Sequence, residues 1–366
     1  MPKHILFVVH GVGVQPAQTT AAAPAWDADV RAKLDQCADP ARFAIFAQRK
    51  FSDFVDVVPI SYDKEFGEAL ARWKQLGGAA SAAHAKSLGL PGAPILEALA
   101  DIDPNDAFLW SHVADAALYY VLAVERQNVR VSVCDQIVRA LKARWQPGEP
   151  LPRASIVAHS LGTAVIHDSL HLLATNKQMS KELPNQLAHP NWGFQTIFML
   201  ANTSRVLQTD FNAYESIVRP GPANKLDKYC ARYVTVHHEV DPVTLVRRFE
   251  PKTWKSLCES ITLSHYRDWN VHAFTHFLDN PQVYTQIFGT TISSTALTAK
   301  EVATAVDEAN YPRFGGKFAN VPKAIAKKNE LFALRDRMPS DPSVLDYFKA
   351  LKDGIRILRE LRDLLP

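Results

Sequence analysis

Two short apolar strands, each followed at once by a tight glycine-containing turn, constrain the fold of this chain more than any other feature. The first strand runs from Ile5 to Val9 and leads into His10-Gly11-Val12-Gly13. The second runs from Ser155 to Ala158 and leads into His159-Ser160-Leu161-Gly162. Each pattern predicts a buried strand that ends in a sharp corner.

Further strands and helices alternate along the chain. Strands are predicted over Phe54 to Ile60, Gln195 to Leu200 and Tyr233 to His237. Apolar residues at helical spacing predict helices over Ala25 to Cys37, Asn105 to Trp145 and Thr163 to Ala174. A repeated order of strand, helix and strand is typical of a mostly parallel central sheet with helices on both faces. We therefore predict an α/β fold of this kind.

Composition divides the chain into regions. From Asp63 to about Pro104 alanine, glycine and leucine prevail, which predicts an insertion at about 63–104 that covers part of a site. The segment 202–231 is predicted to pack over the site as a lid. Beyond about Ser293 the strand signals stop and the chain becomes helical with mixed charge. We predict a main domain over 1–292 and a helical C-terminal extension over 293–366.

The last helix has a well-marked start and one apolar stripe. Asp341 can cap the helix and Pro342 suits its first turn. The stripe consists of Val344, Phe348, Leu351, Ile355 and Leu358. Either the stripe packs on the main domain, or it forms a homo-oligomer or binds a partner. Acidic residues balance its basic ones, which disfavours a helix that lies on a membrane.

Composition argues against several classes of protein. The 366-residue chain has a net charge of +3 and no basic block with interleaved aromatic residues, which disfavours a nucleic-acid partner. Its 4 cysteines form no C-x-x-C pair, which disfavours a zinc site and a disulfide framework and favours a reducing cytoplasm. No apolar run is long enough for a transmembrane segment, and the first is too short for a signal peptide. We therefore expect a cytoplasmic protein, with export by a route that uses no cleaved signal as the alternative.

Ser160 is the residue that carries the chemistry. It is the only serine between a buried strand and a helix, and Ala158 and Gly162 on either side are small enough for the two backbones to pass closely. A hydroxyl is a weak nucleophile and needs a base within hydrogen-bond reach. Backbone N–H groups at the two turns can stabilise an oxyanion. The combination predicts acyl transfer with Ser160 as the nucleophile.

The motifs A-H-S-L-G, around Ser160, and H-G-V-G-V-Q, after the first strand, resemble the α/β-hydrolase superfamily and its lipase and serine-esterase branches. The resemblance covers about Lys3 to Phe288. Two departures are Ala158 in place of the usual glycine and the absence of the family's first strands. The resemblance implies an oxyanion hole formed by the backbone N–H groups of Val12 and Leu161. It also implies a serine hydrolase without a cofactor that cleaves carboxylic esters, lipid esters among them.

In this family the acid and the base follow the serine in the order Ser, Asp or Glu, His. The strand that ends at His237 is followed by H-E-V-D-P-V, which looks like the family's acid loop and makes Asp241 the predicted acid. Glu239 lies too close to the end of the strand. Asp210, after the preceding strand, stays the alternative acid.

The base is predicted in the stretch 270–278, which contains His272 and His276 four residues apart. A loop histidine that opens a final helix matches the superfamily better, so His272 is the predicted base, His276 the alternative and His265 a third candidate. The pair also suits a metal, but the glutamate of a zinc-protease motif is missing. We therefore predict neither a metal nor a cofactor.

Other functions stay open. An amidase, a peptidase or a thioesterase would use the same residues on another substrate. A hydrolase-like fold retained as a non-catalytic binding module is the alternative from another class, with the C-terminal helices docking a partner. An imidazole within hydrogen-bond reach of Ser160 would favour the enzyme, and the partner expected for it is a small-molecule or lipid ester.

Overall fold

The structure is a computed structural model of the 366-residue chain. It describes residues 3–11, 25–65, 68, 86, 94–95, 115–121, 123–208, 212–221, 228–245, 247–267, 270–313, 321–339 and 343–363. Predictions on Val12, Asp210, Asp341, Pro342 and most of the insertion at 63–104 lie outside the described residues, as does part of the predicted lid.

Within the described part of the chain, six strands form one all-parallel sheet in the order β2-β1-β3-β4-β5-β6. The strands are β1 (His4–Val9), β2 (Val55–Ile60), β3 (Ala154–His159), β4 (Phe194–Leu200), β5 (Cys230–His238) and β6 (Cys258–Leu263). The fold is thus of the α/β class. Each of the five strands predicted from the sequence overlaps an observed strand, and its ends lie within three residues of the observed ends.

The described helices before the acid loop are α1 (Ala25–Cys37), α2 (Phe51–Phe54), α3 (Asp115–Val121), α4 (Ala123–Arg144), α5 (Leu161–Thr175) and α6 (Lys177–Ser180). Those that follow are α7 (Pro242–Leu245), α8 (Phe274–Asp279), α9 (Pro281–Thr291), α10 (Ala299–Val306), α11 (Pro322–Asp336) and α12 (Val344–Asp363). Single 3-10 turns cover Ala44–Phe46 and Lys255–Leu257. Of the helices described, none is both long and apolar enough to cross a membrane.

Strand β1 shows how the sequence produces two hydrophobic cores. Successive side chains of a strand point to opposite faces of the sheet. Phe7 and Val9 pack on one face with residues of α4 and α5, whereas Leu6 and Val8 pack on the other face with residues of α1 and α9. Every residue of β1 and of β3 is buried. Because helices cover both faces, these strands carry no alternation of apolar and polar residues.

Strand β6 was not predicted from the sequence. It lies at the edge of the sheet, and Leu263 is the one buried residue of its six. An edge strand with a single buried residue gives little hydrophobic signal. The strand matters for the site, because the chain that follows it leads to the predicted base.

Helix α12 begins at Val344, and Ser343 caps it. The hydroxyl of Ser343 accepts the backbone N–H of Asp346 at 3.1 Å, and the carboxylate of Asp346 accepts the backbone N–H of Ser343 at 3.2 Å. These reciprocal hydrogen bonds form a capping box. Ser343 is therefore the N-cap of α12 among the described residues.

The apolar stripe of α12 packs inside the chain. Phe348, Leu351 and Ile355 belong to the same buried cluster as the sheet and α5. Helix α12 also packs against α11 and against α7. The division into a main domain and an extension stays a prediction, as does a homo-oligomer formed through this helix.

Candidate active site

Ser160, Asp241 and His272 lie at the same edge of the sheet. Ser160 follows β3 directly, Asp241 lies three residues after β5, and His272 lies nine residues after β6. The carboxyl ends of parallel strands share one edge, so the segments that follow them converge there. The topology therefore brings together residues that are far apart in the sequence.

The backbone of Ser160 has an uncommon conformation. Its φ is 52° and its ψ is −128°, a region that costs free energy for a residue with a side chain. Its N–H donates to the carbonyl of Leu200 at 2.9 Å, which holds the corner against β4. A Cβ added to Gly162 would lie 2.6 Å from the carbonyl oxygen of His10. Only glycine therefore allows α5 to begin so close to the end of β1.

The turn after β1 lies directly against the serine. A Cβ added to Gly11 would lie 2.6 Å from the Cβ of Ser160 and 2.8 Å from the carbonyl oxygen of His159. Leu161 is the first residue of α5, so its N–H is one of the donors that no carbonyl of the helix accepts. The helix N-terminus also favours negative charge. This corner can therefore stabilise an oxyanion, and the other predicted donor, Val12, lies outside the described residues.

Two threonines hold the carbonyl oxygen of Ser160. It accepts the hydroxyl of Thr163 at 2.6 Å, the hydroxyl of Thr203 at 2.9 Å and the backbone N–H of Thr163 at 2.9 Å. The hydroxyl oxygen of Thr163 in turn accepts the backbone N–H of Thr203 at 2.8 Å. All these groups are buried, so the strained corner is fixed by a closed set of hydrogen bonds.

A chain of hydrogen bonds joins the predicted nucleophile, base and acid. The Oγ of Ser160 lies 2.9 Å from Nε2 of His272. The Nδ1 of His272 lies 3.0 Å from each carboxylate oxygen of Asp241. Asp241 is fully buried, and its carboxylate also accepts the backbone N–H of Val243 at 3.0 Å. With Nδ1–H directed at the carboxylate, Nε2 is left to accept the hydroxyl proton of the serine.

Two neighbouring histidines, His10 and His159, lie beside this arrangement. His159 donates from Nε2 to the backbone carbonyl of His272 at 2.7 Å, and its ring stacks on Phe274 with centroids 5.1 Å apart. Burial lowers the pKa of His10 to about 4. The ring of His10 is therefore neutral at pH 7. His159 thus acts as a structural hydrogen-bonding residue that holds the segment carrying the predicted base.

The other acid and base candidates among the described residues have contacts outside this chain of hydrogen bonds, and the alternative acid Asp210 is not among the described residues. His276 is buried on α8, with its ring 5.6 Å from that of His238. His265 is buried with its ring 5.4 Å from that of Tyr311. Glu239 forms an ion pair with Lys328 of α11 at 3.0 Å.

The C-terminal helix contacts the acid loop, which the sequence did not predict. The hydroxyl of Tyr347 donates to the carbonyl of Val243 at 2.8 Å. A Cβ added to Gly354 would lie 2.9 Å from the Cβ of Pro242. Helix α12 thus packs against the residues that immediately follow Asp241. The available signal was the glycine in the middle of an amphipathic helix, which indicates close packing.

Among the described residues, no group of three or more His, Cys, Asp or Glu side chains is arranged to hold a metal ion. Comparison of the sequence with protein-family models, with curated proteins and with solved structures found no match. The geometry of the site and the topology of the sheet therefore carry the functional argument.

Proposed function

We propose that this protein is a serine hydrolase with an α/β-hydrolase fold that cleaves carboxylic esters through an acyl-enzyme. The observation that carries the proposal is the pair of hydrogen bonds from Ser160 to His272 and from His272 to Asp241. The order of these residues along the chain and the strained conformation of the serine support it further. A complete set of side chains within hydrogen-bond reach also favours catalysis over a non-catalytic binding module.

In the first half of the proposed reaction, the Oγ of Ser160 attacks the ester carbonyl while Nε2 of His272 takes its proton. Asp241 holds the imidazole in the required tautomer and stabilises the cation that forms. The N–H of Leu161, with that of Val12 by resemblance, stabilises the oxyanion. Collapse of the tetrahedral intermediate breaks the bond to the alcohol, which leaves with the proton from His272.

In the second half, water attacks the acyl-serine ester. His272 takes a proton from the water and returns it to Ser160 when the acid product leaves. The same residues would serve an amide or a thioester, so amidase, peptidase and thioesterase activity stay alternatives. Free thiols at all 4 cysteines fit a reducing compartment such as the cytoplasm.

The test is a comparison of purified variants on 4-nitrophenyl esters of increasing chain length, beside an acyl-CoA and an anilide of equal acyl length. We expect Ser160→Ala to lose activity by on the order of a thousandfold or more, and Asp241→Asn by on the order of 10³ to 10⁴ because the imidazole takes the wrong tautomer. Ser169→Ala is the matched control, because this buried serine of α5 donates only to the carbonyl of Val165.

The proposal fails if folded wild-type protein hydrolyses none of these esters, or if Ser160→Ala keeps the wild-type rate. Faster turnover of the acyl-CoA or of the anilide than of the matched ester would assign the same site to a thioesterase or to an amidase. Thermal unfolding of each variant distinguishes a loss of activity from a loss of folding.

A further inference from the structure

The predicted acid lies at the start of a helix that is too short to hold its own position. Helix α7 consists of the four residues Pro242–Leu245, and the carboxylate of Asp241 caps it by accepting the backbone N–H of Val243 at 3.0 Å. An isolated helical turn is unstable, because fixing its backbone costs more free energy than its hydrogen bonds supply. The orientation of the Asp241 carboxylate therefore depends on what packs against α7.

The C-terminal helices supply that packing, since α11 and α12 both contact α7. Gly354 of α12 faces Pro242, because a Cβ added to this glycine would lie 2.9 Å from the Cβ of Pro242. On the other side of Asp241, the carboxylate of Glu239 pairs with Lys328 of α11 at 3.0 Å. The acid loop is thus held before and after Asp241 by a part of the chain that lies outside the resemblance to α/β-hydrolases.

Tyr347, in the first turn of α12, makes a polar contact with α7. The last carbonyls of a helix have no partner within it, and in α7 the carbonyl of Val243 is one of them. The hydroxyl of Tyr347 donates to this carbonyl at 2.8 Å, and both residues are buried. Burial raises the pKa of Tyr347, and the negative charge of Asp241 acts in the same direction, so the hydroxyl keeps its proton at neutral pH. A buried carbonyl needs such a donor, so the hydrogen bond fixes α12 against α7.

A continuous path of hydrogen bonds joins Tyr347 to the reacting atoms. The carbonyl of Val243 accepts the hydroxyl of Tyr347, and the N–H of the same residue donates to the carboxylate of Asp241. That carboxylate lies 3.0 Å from Nδ1 of His272, and Nε2 of the same ring lies 2.9 Å from the Oγ of Ser160. A shift of α12 would therefore move the carboxylate relative to the imidazole that it orients.

We propose that α12 is part of the candidate active site and that Tyr347 is a positioning residue for Asp241. The inference rests on the proposed function and identifies what keeps the predicted acid aligned with His272. Tyr347 touches no reacting atom and acts through Val243. Its effect belongs to the transition state, in which the imidazole is charged and the carboxylate stabilises it.

The first experiment measures ester kinetics of two variants that alter the contacts of α12 with α7. Tyr347→Phe removes only the hydroxyl, and Gly354→Ala adds a methyl group against Pro242. We expect kcat to fall roughly three- to tenfold in Tyr347→Phe and about tenfold or more in Gly354→Ala, because a small misplacement of a catalytic group slows the reaction strongly. KM should stay unchanged, since the acid acts on the transition state and not on the bound ester.

Each variant has a matched control in α9. Thr291→Val removes a buried hydroxyl that donates to the carbonyl of Ile287 at 2.7 Å. The neighbouring carbonyl of Thr290 accepts the guanidinium of Arg153, which precedes β3, so this end of α9 lies at the amino edge of the sheet, away from the site. Gly289→Ala adds a Cβ that meets no described atom within 4 Å. Both controls should keep the wild-type kcat. Wild-type kcat in Tyr347→Phe, or equal losses in the controls, would overturn the inference.

A double-mutant cycle tests whether Tyr347 acts through the acid. In Asp241→Asn protein, Tyr347→Phe should cause no further loss, because the carboxylate that the tyrosine positions is gone. The rate of fluorophosphonate labelling of Ser160 measures the low residual reactivity of these variants. A loss by the same factor in both backgrounds would place the effect of Tyr347 elsewhere and would count against the inference.

A spectroscopic measurement separates this inference from the proposed function. An Nδ1–H of histidine that donates to a buried carboxylate gives a proton NMR resonance far downfield of the amide region, because the strong hydrogen bond deshields the proton. Loss of the resonance in His272→Ala and in Asp241→Asn assigns it to this pair. In Tyr347→Phe it should move upfield, whereas in Gly289→Ala it should not move.

The outcomes for the two proposals differ. A resonance that moves in Tyr347→Phe, in a protein whose wild type hydrolyses no ester, would support the positioning role and overturn the hydrolase. Ester hydrolysis with kcat and resonance unchanged in Tyr347→Phe would support the hydrolase and overturn the positioning role. A wild-type spectrum without the resonance would also overturn the positioning role, because no Nδ1–H would then be held on Asp241.

Discussion

At the scale of single residues, the candidate site depends on how a strained serine is held in place. The three side chains named from the sequence, Ser160, Asp241 and His272, could be chosen because a motif fixes one of them and chain order restricts the other two. Thr163 and Thr203 could not be chosen in this way. They lie 40 residues apart and meet only because β3 and β4 are neighbours in the sheet. The role of Ser160 as the nucleophile stays a prediction.

Thr163→Val tests this support directly. Valine has nearly the same shape, but it leaves the buried N–H of Thr203 without its acceptor and removes one hydrogen bond from the carbonyl of Ser160. We expect the free energy of unfolding to fall by about 1–3 kcal/mol, together with a lower kcat. Urea denaturation and ester kinetics measure the two effects. Thr163→Ser keeps the hydroxyl and should recover most of the free energy of unfolding and of kcat. Equal stability of the valine and serine variants would contradict the account.

A buried histidine of β1 predicts how stability depends on pH. The Nε2 of His4 lies 3.0 Å from the hydroxyl oxygen of Ser155, with which it forms a hydrogen bond. Burial lowers the pKa of His4 to about 3, and the positive charge of Arg153 makes a smaller contribution in the same direction. In the unfolded chain the pKa is near 6.5. Between these values the unfolded state binds a proton that the folded state does not, so stability falls as the pH falls from about 6.5 towards 3.

His4→Gln should reduce that dependence, because glutamine can keep the contact with Ser155 and does not titrate. Between pH 7 and pH 5 the wild type is expected to lose about 2 kcal/mol more of its unfolding free energy than the variant loses. Urea denaturation at each pH measures both. Parallel curves for the two proteins would show that His4 does not contribute to the acid sensitivity.

At the scale of elements, the strength of the sequence signal follows burial. Strands β1 and β3 are buried along their whole length and were predicted to within one residue at each end. Strand β6 lies at the sheet edge and has one buried residue among its six, so it gave no signal. The predicted base was found from the histidines after that strand, not from the strand itself. The start of α12 could not be predicted fully, because Ser340, Asp341 and Ser343 all precede it and each is a residue type that can cap a helix.

The start of α5 yields a prediction about packing. In Gly162→Ala the new Cβ would lie 2.6 Å from the carbonyl oxygen of His10 and 2.9 Å from that of Val9, which are the residue after β1 and the last residue of β1. We expect a loss of about 1–3 kcal/mol in the free energy of unfolding. Gly289→Ala in α9 is the control, since a Cβ there meets nothing within 4 Å and should stabilise the helix by about 0.5–1 kcal/mol. Similar effects at both glycines would contradict the close approach.

At the scale of the whole molecule, the sequence predicted the α/β class because strands and helices alternate, but not how the C-terminal helices sit. An amphipathic stripe indicates that a helix has a partner surface without saying which. In the structure, Phe348 and Leu351 lie in the main buried cluster, and the hydroxyl of Tyr347 donates a hydrogen bond to the acid loop. These contacts depend on distances between residues about 100 apart in the sequence, which no local pattern contains.

The four cysteines give a prediction for the folded chain as a unit. All are free thiols, and burial raises the pKa of Cys37, Cys134 and Cys258 to about 12 and raises that of Cys230 as well. The thiolate is the reactive form, so native protein should react very slowly with Ellman's reagent at pH 8. After denaturation in guanidinium all 4 thiols should react. A fast native thiol, or fewer than four thiols after denaturation, would contradict this description of the core.

The central claim, that Ser160 is a nucleophile activated by His272, is tested most directly by covalent labelling of folded protein with a fluorophosphonate. Intact-mass analysis should find one adduct per chain, and peptide mapping should locate it on Ser160. Ser160→Ala should remain unlabelled, and His272→Ala should label far more slowly at pH 7. No adduct on folded wild-type protein, or an equal adduct on Ser160→Ala, would contradict the claim.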